Sequence, residues 1–226
     1  ISEVGKMDKD LLKVIEHQVH WLNRRFESGK VSNVEKLQTI LLDDTEYELF
    51  RVFIGYDYNF TEDRDWQKAK TERKDKIQEF IDDISDKTFD SWEKKILAVS
   101  KNYSDVNAGE YQYFNTFLYE MGKQKPSLAL KLIEELEEEL TPFLIHIMAG
   151  IWESDKQDTL RPFVDSYISQ GKHLSASAYL LTYTKTFDVE LLTRILNKAK
   201  DTDDENAIIN VVGVCVGHYH NEPDEE

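Results

Sequence analysis

Apolar residues recur at steps of three and four along most of the chain, the spacing that places side chains on one face of an α-helix. Alternation of apolar and polar residues, which marks a half-buried strand, is missing over any useful length. The pattern therefore predicts an all-α protein. Near the amino end, one predicted apolar face consists of Leu11, Leu12, Ile15, Val19, Leu22 and Phe26.

Capping and proline signals place the helix boundaries. Thr45 followed by Glu48 has the spacing of a capping box, and Pro126 suits the first position of a helix. The helices predicted from these signals and from the apolar spacing span residues 7–28, 33–43, 45–55, 63–84, 88–102, 111–122, 126–139, 142–153, 157–170, 174–185, 188–199 and 204–219.

The second half of the chain contains an internal repeat. When it is shifted by 31 residues, six sets of apolar positions superpose and no member of a set is charged. Each repeat would be a hairpin of two helices, and helix 204–219 follows at the same interval with Ala207, Val211 and Val214 facing the core. The six sets are Phe114, Ile145 and Ala176; Phe117, Met148 and Tyr179; Leu118, Ala149 and Leu180; Met121, Trp152 and Tyr183; Ala129, Leu160 and Leu191; and Ile133, Val164 and Ile195.

With this repeat, residues 63–219 resemble the α-solenoid class, and the HEAT-like arrays within it more than the tetratricopeptide arrays. The resemblance implies a right-handed α-solenoid of antiparallel helical hairpins, each burying its apolar face against its neighbours. We expect three parts: N-terminal helices in residues 1–60, the repeat stack in 61–220, and an acidic tail in 221–226. The break Gly55-Tyr56-Asp57-Tyr58-Asn59 marks the first boundary.

The charge balance narrows the choice of partners. Forty-four acidic residues against 28 basic ones leave a net charge of −16, which weighs against DNA, RNA and anionic membrane surfaces as partners. No apolar run approaches the roughly 18 residues of a membrane span. The one basic cluster, expected to be a solvated helix face, comprises Lys68, Lys70, Arg73, Lys74 and Lys76.

No catalytic or metal-binding motif is complete in the sequence. His17 and His20 lie three residues apart but lack a third ligand, and His218 and His220 have the spacing of an extended end. Cys215 lies in an apolar run and is expected to be a buried thiol. A single cysteine fits a reducing compartment, so the expected location is cytoplasmic. We therefore expect no enzyme activity, no cofactor and no metal.

The function expected from these features is a non-catalytic protein–protein interaction or scaffold module, either alone or as a segment of a larger multidomain protein. Its expected partner-binding residues are Glu134, Glu135, Glu138 and Asp165, an acidic strip that would attract a basic segment of another protein. Two alternatives remain open at this point. One is a solenoid-type enzyme acting on nucleic acid, such as a DNA-repair glycosylase. The other is the helical-repeat sensor segment of a bacterial defence ATPase.

Overall fold

The computed structural model describes residues 8–25, 32–56, 65–103, 105–183 and 187–221. All regular structure in these ranges is helical, and no strand occurs in them, so the all-α prediction is confirmed. The α-helices are α1 (Lys9–Arg25), α2 (Ser32–Leu42), α3 (Thr45–Phe53), α4 (Trp66–Asp83), α5 (Phe89–Ser100), α6 (Gln112–Gln124), α7 (Pro126–Leu136), α8 (Leu144–Trp152), α9 (Gln157–Gln170), α10 (Leu174–Leu180), α11 (Val189–Asp201) and α12 (Glu205–Asn221).

The chain divides into two compact units. The first unit comprises Ile1–Asp83 and Asp90–Phe114, and the second comprises Ile84–Phe89 and Asn115–Glu226, each in its described part. The boundary predicted at residue 60 lies outside the described residues, as do residues 222–226 of the predicted acidic tail. That part of the predicted domain organisation therefore stays a prediction.

In the first unit, α1, α2 and α3 pack against one another around Leu12, Leu41 and Tyr47. Helix α3 begins at Thr45, but its capping residue is Asp44 rather than Thr45. The Asp44 carboxylate accepts a hydrogen bond of 2.8 Å from the backbone N–H of Tyr47. The predicted cap was one residue late because Asp44 already has the extended backbone of an N-cap.

The apolar face predicted for α1 is broader than the face that packs. Leu12 and Val19 are buried, whereas Leu11 and Leu22 are exposed. Leu11 precedes the buried Leu12 by one residue, and one residue of rotation on a helix is enough to turn a side chain toward solvent. Phe26 lies outside the described residues.

Arg73 contradicts the prediction that the basic cluster is a solvated face, because its side chain is completely buried. Its guanidinium donates hydrogen bonds of 2.9 Å to the carbonyl oxygens of Arg51, Val52 and Ile54. These carbonyls belong to the last turn of α3 and to its C-cap residue Ile54, where a helix has no backbone donors left to pair with them. The guanidinium also stacks on the ring of Tyr113 at 4.2 Å.

In the second unit, helix contacts follow a regular order. Each of α8, α9 and α10 contacts both the next helix and the one after it, while α7 contacts α8 and α11 contacts α12. The predicted burial of the repeated positions is largely confirmed: Ile133 and Leu160 are 1% and 0% exposed. Ile145, Ala176 and Tyr179 are partly buried. The side chain of Tyr183 lies outside the described residues.

Two glycines allow α6 and α8 to approach closely. A Cβ atom on Gly150 would overlap the carbonyl oxygen of Tyr119 and lie 2.9 Å from the backbone nitrogen of Lys123. A Cβ atom on Gly122 would likewise overlap the carbonyl oxygen of Ile147. The backbones of the two helices are therefore in direct contact, which only glycine permits.

Candidate functional site

The predicted acidic strip lies on the second unit and is exposed to solvent to different degrees. Glu134 and Glu135 are exposed on α7, and the side chain of Glu138, just beyond that helix, is 79% exposed. Asp165 on α9 is only half-exposed. The four side chains therefore do not present equal charges to a partner.

Nearby cations offset most of this strip. Lys131 lies 3.7 Å from Glu135, and Lys172 lies 3.4 Å from Glu138. The Asp165 carboxylate lies 2.8 Å from Arg194. Because an exposed carboxylate with a cation beside it exerts a weaker field, the strip is less negative than its sequence indicates.

Asp165 belongs to an alternating network of charges between α9 and α11. Arg161 lies between two carboxylates, 4.0 Å from Asp165 and 3.0 Å from Asp188. The Asp188 carboxylate also accepts a hydrogen bond of 2.9 Å from the backbone N–H of Leu191 at the start of α11. This backbone hydrogen bond, together with Arg161, holds the pKa of Asp188 below its ordinary value. The network holds α9 and α11 together, so Asp165 has a structural role.

Glu137, which lies between Glu135 and Glu138 of the acidic strip, also has a structural contact. The Glu137 carboxylate lies 3.1 Å from Nε2 of His173, whose ring packs edge-to-face against Tyr167 at 4.8 Å. Tyr167 is buried, and that burial raises the pKa of its hydroxyl above the ordinary value. Glu137 therefore connects the end of α7 to the segment between α9 and α10.

Helix α12 carries apolar side chains on two opposite faces. Its inner face is buried as predicted, with Ala207, Val211 and Val214 at 0–3% exposure. Its outer face contains Ile209, Val212 and Val216, which are 65%, 55% and 50% exposed. These three positions are separated by three and four residues, so they form one stripe along the helix. We call Ile209, Val212 and Val216 the outer stripe.

The helix that carries the outer stripe has few charged residues, and it has two glycines beside the stripe. Helix α12 contains one carboxylate, Glu205 at its first position, and no lysine or arginine. Gly213 and Gly217 lie beside the stripe, and a Cβ atom added to either would have open space within 4 Å. Apolar helix faces are typically covered, whereas the described part of the chain covers α12 on its inner face and leaves the outer stripe exposed.

The structure corrects two predictions at this helix. Cys215 is exposed rather than buried, because it follows Val214 by one residue and so turns away from the inner face. His218 lies in α12, which continues to Asn221, and not in an extended end. Nε2 of His218 lies 3.2 Å from the carbonyl oxygen of Leu181, and its ring packs against Phe187.

The described ranges contain no group of three or more His, Cys, Asp or Glu side chains that could share a metal ion. His17 accepts a hydrogen bond of 2.9 Å from the indole N–H of Trp21, so its ring is engaged within α1. In the same ranges, no helix has the combined length and hydropathy to cross a membrane.

The outer stripe could have been found by counting apolar residues around α12 instead of seeking one apolar face. Residues 207–216 supply both faces, and the prediction used only the face that continued the repeat. Comparison with protein-family models, with curated proteins and with solved structures found no match.

Proposed function

We propose that this protein is a non-catalytic protein–protein interaction module whose docking surface is the outer stripe of α12. The observation that carries the proposal is the half-or-greater exposure of Ile209, Val212 and Val216 on an uncharged helix face of a chain with net charge −16. Contiguous exposed apolar surface on a folded protein marks an interaction site. The cores of protein–protein interfaces are depleted of charged residues, as the outer stripe is.

We further propose that the second unit is a HEAT-like, right-handed α-solenoid of antiparallel hairpins. Two observations support this architecture: the 31-residue register of buried positions, and the contacts of α8, α9 and α10 with the next two helices. In such a stack each repeat buries an apolar face against its neighbours, as α12 buries Ala207, Val211 and Val214.

The proposed partner presents an apolar helix to α12. A helix fits because Gly213 and Gly217 leave room for a second backbone to approach closely. The same chain packs α6 on α8 through Gly122 and Gly150, and an intermolecular contact would use the same device.

The acidic residues Glu134, Glu135, Glu138 and Asp165 have a secondary part in this proposal. They would steer a basic segment of the partner and so raise the association rate, but add little affinity because most are already offset by a cation.

We place the protein in the cytoplasm, since an exposed thiol such as Cys215 suits a reducing compartment.

The test begins with covalent capture. Cys215 is exposed beside the outer stripe and can carry a thiol-linked photo-crosslinker, which would attach the partner in cell extract so that it can be identified and purified. Binding of the purified partner is then measured with wild-type protein and with the double variant Val212→Lys, Val216→Lys. Both side chains are exposed, so the variant should keep its circular dichroism and melting temperature.

We expect the double lysine variant to weaken binding by at least about tenfold, since it places two charges in an apolar contact. The matched control is the double variant Glu134→Lys, Glu135→Lys, which introduces two lysines on α7 as the first variant introduces two on α12. It should change mainly the association rate at low salt. An unchanged affinity in the α12 variant, or a larger loss in the α7 control, contradicts the proposal.

A further inference from the structure

The first unit contains a groove of about 310 Å³ between α1, α3 and α5. Its apolar part is formed by Leu49 and Phe50 on α3 and by Ala98 and Val99 on α5. Leu49 and Val99 are nearly fully buried, so they form a fixed floor. A concave, mostly apolar cleft with a few polar groups has the composition of a small-ligand site, and this volume lies at the small end of such sites.

The rim of the groove differs in charge from the rest of the protein. Three lysines and one glutamate line it: Lys9, Lys94, Lys95 and Glu46. Lys9 on α1 and Glu46 on α3 form an ion pair of 3.2 Å, so their charges offset each other. The α5 side keeps Lys94 and Lys95, and no carboxylate among the described residues lies within 4.0 Å of either ammonium group.

Two adjacent cations with no anionic partner among the described residues are unexpected in a chain of net charge −16. The ammonium group of Lys95 lies over the ring of Trp92 at 4.2 Å, which holds this side chain in place at the edge of the groove. The groove therefore has an apolar floor, an ion pair on the side of α1 and α3, and two lysines on the side of α5.

We propose that this groove binds a small organic anion with an apolar body, of the class of medium-chain aliphatic carboxylates. The alkyl chain would lie on Leu49, Phe50 and Val99, and the carboxylate would accept hydrogen bonds from Lys94 and Lys95. Charge complementarity selects this class over neutral apolar molecules and over cations. The inference goes beyond the proposed function, since it concerns a different unit and a small molecule in place of a protein.

The experiment is isothermal titration calorimetry of the full chain with sodium decanoate, and with decanol as the uncharged analogue of the same length. We expect decanoate to bind at one site and decanol to bind at least about tenfold more weakly. The double variant Lys94→Gln, Lys95→Gln should lose at least about tenfold in affinity for decanoate. Its matched control is Lys156→Gln with Lys200→Gln, two exposed lysines of the second unit, which should bind as wild type does.

A second variant tests the apolar part of the groove without disturbing the core. Ala98 lines the groove but is exposed, so the phenyl group of Ala98→Phe would fill the groove and should abolish decanoate binding while the melting temperature is retained. The proposal is overturned if decanoate does not bind to wild-type protein. It is also overturned if decanol binds equally well, or if neither the lysine variant nor Ala98→Phe weakens binding. None of these results depends on the α12 partner.

Discussion

At the scale of single residues, burial separates side chains that look alike in sequence. Arg73 stands among lysines on α4 and has the neighbours of a solvated residue, yet it is the one member of the basic cluster with a fully buried side chain. Its role depends on the carbonyl oxygens of Arg51, Val52 and Ile54, which are some twenty positions away in the chain. Periodicity within α4 holds no information about that contact, so this function of Arg73 could not be predicted.

Replacing Arg73 with leucine should destabilise the protein by about 3 kcal/mol, since several buried carbonyl oxygens at the end of α3 lose their donor. The measurement is urea denaturation followed by circular dichroism. The neighbouring substitution Lys74→Gln is the control and should stay within about 0.5 kcal/mol of wild type, because Lys74 is exposed. Equal effects for the two variants would contradict the capping role of Arg73.

His146 on α8 gives a pH dependence with a defined sign. Burial lowers the pKa of its imidazole, so the folded protein resists protonation more than the unfolded chain does. The unfolded state therefore binds more protons below an ordinary histidine pKa of about 6.5, and stability falls as the pH drops through that value.

The variant His146→Leu should lack this part of the pH dependence. We expect the difference in unfolding free energy between variant and wild type to shift in favour of the variant between pH about 7.5 and pH about 5.5. Urea midpoints at the two pH values measure it. A difference that stays constant with pH would show that His146 keeps an ordinary pKa in the folded state.

At the scale of helices, the sequence predicted that the helices exist, and it predicted the inner face of α12 correctly. Pro126 begins α7 as expected, and the apolar spacing identified Ala207, Val211 and Val214 as the inner face of α12. What a helix does on its other side depends on neighbours from distant parts of the chain. Gly150 and Gly213 both lie inside apolar helices, yet one is pressed against another backbone and the other is open.

These two glycines make a matched pair for mutation. Gly150→Ala should cost about 3 kcal/mol or more, since the methyl group would overlap Tyr119 on α6. Gly213→Ala should instead stabilise the protein by about 1 kcal/mol, because alanine favours helix and meets open space there. Thermal unfolding of both variants gives the comparison. If both destabilise, the outer side of α12 is not open in the free protein; if both are neutral, α6 and α8 do not touch at these glycines.

At the scale of the whole molecule, the all-helical class followed from periodicity, but the interaction surface did not. The acidic strip was predicted from spacing alone, and the structure offsets it with cations such as Lys131, Lys172 and Arg194. The outer stripe was not predicted from the sequence, because apolar residues in a helix are expected to lie in the core. Sequence shows which residues are apolar, whereas only the fold shows which of them remain uncovered.

We propose that the partner is held by apolar burial on α12 and not by charge on α7. The most direct measurement is calorimetry of the purified partner binding to the wild-type chain, at several temperatures and two salt concentrations. We expect a clearly negative heat-capacity change, the mark of apolar burial, and an affinity that varies less than about threefold between about 0.05 and about 0.5 M salt. A heat-capacity change near zero, with an affinity that falls steeply as salt is added, would contradict it.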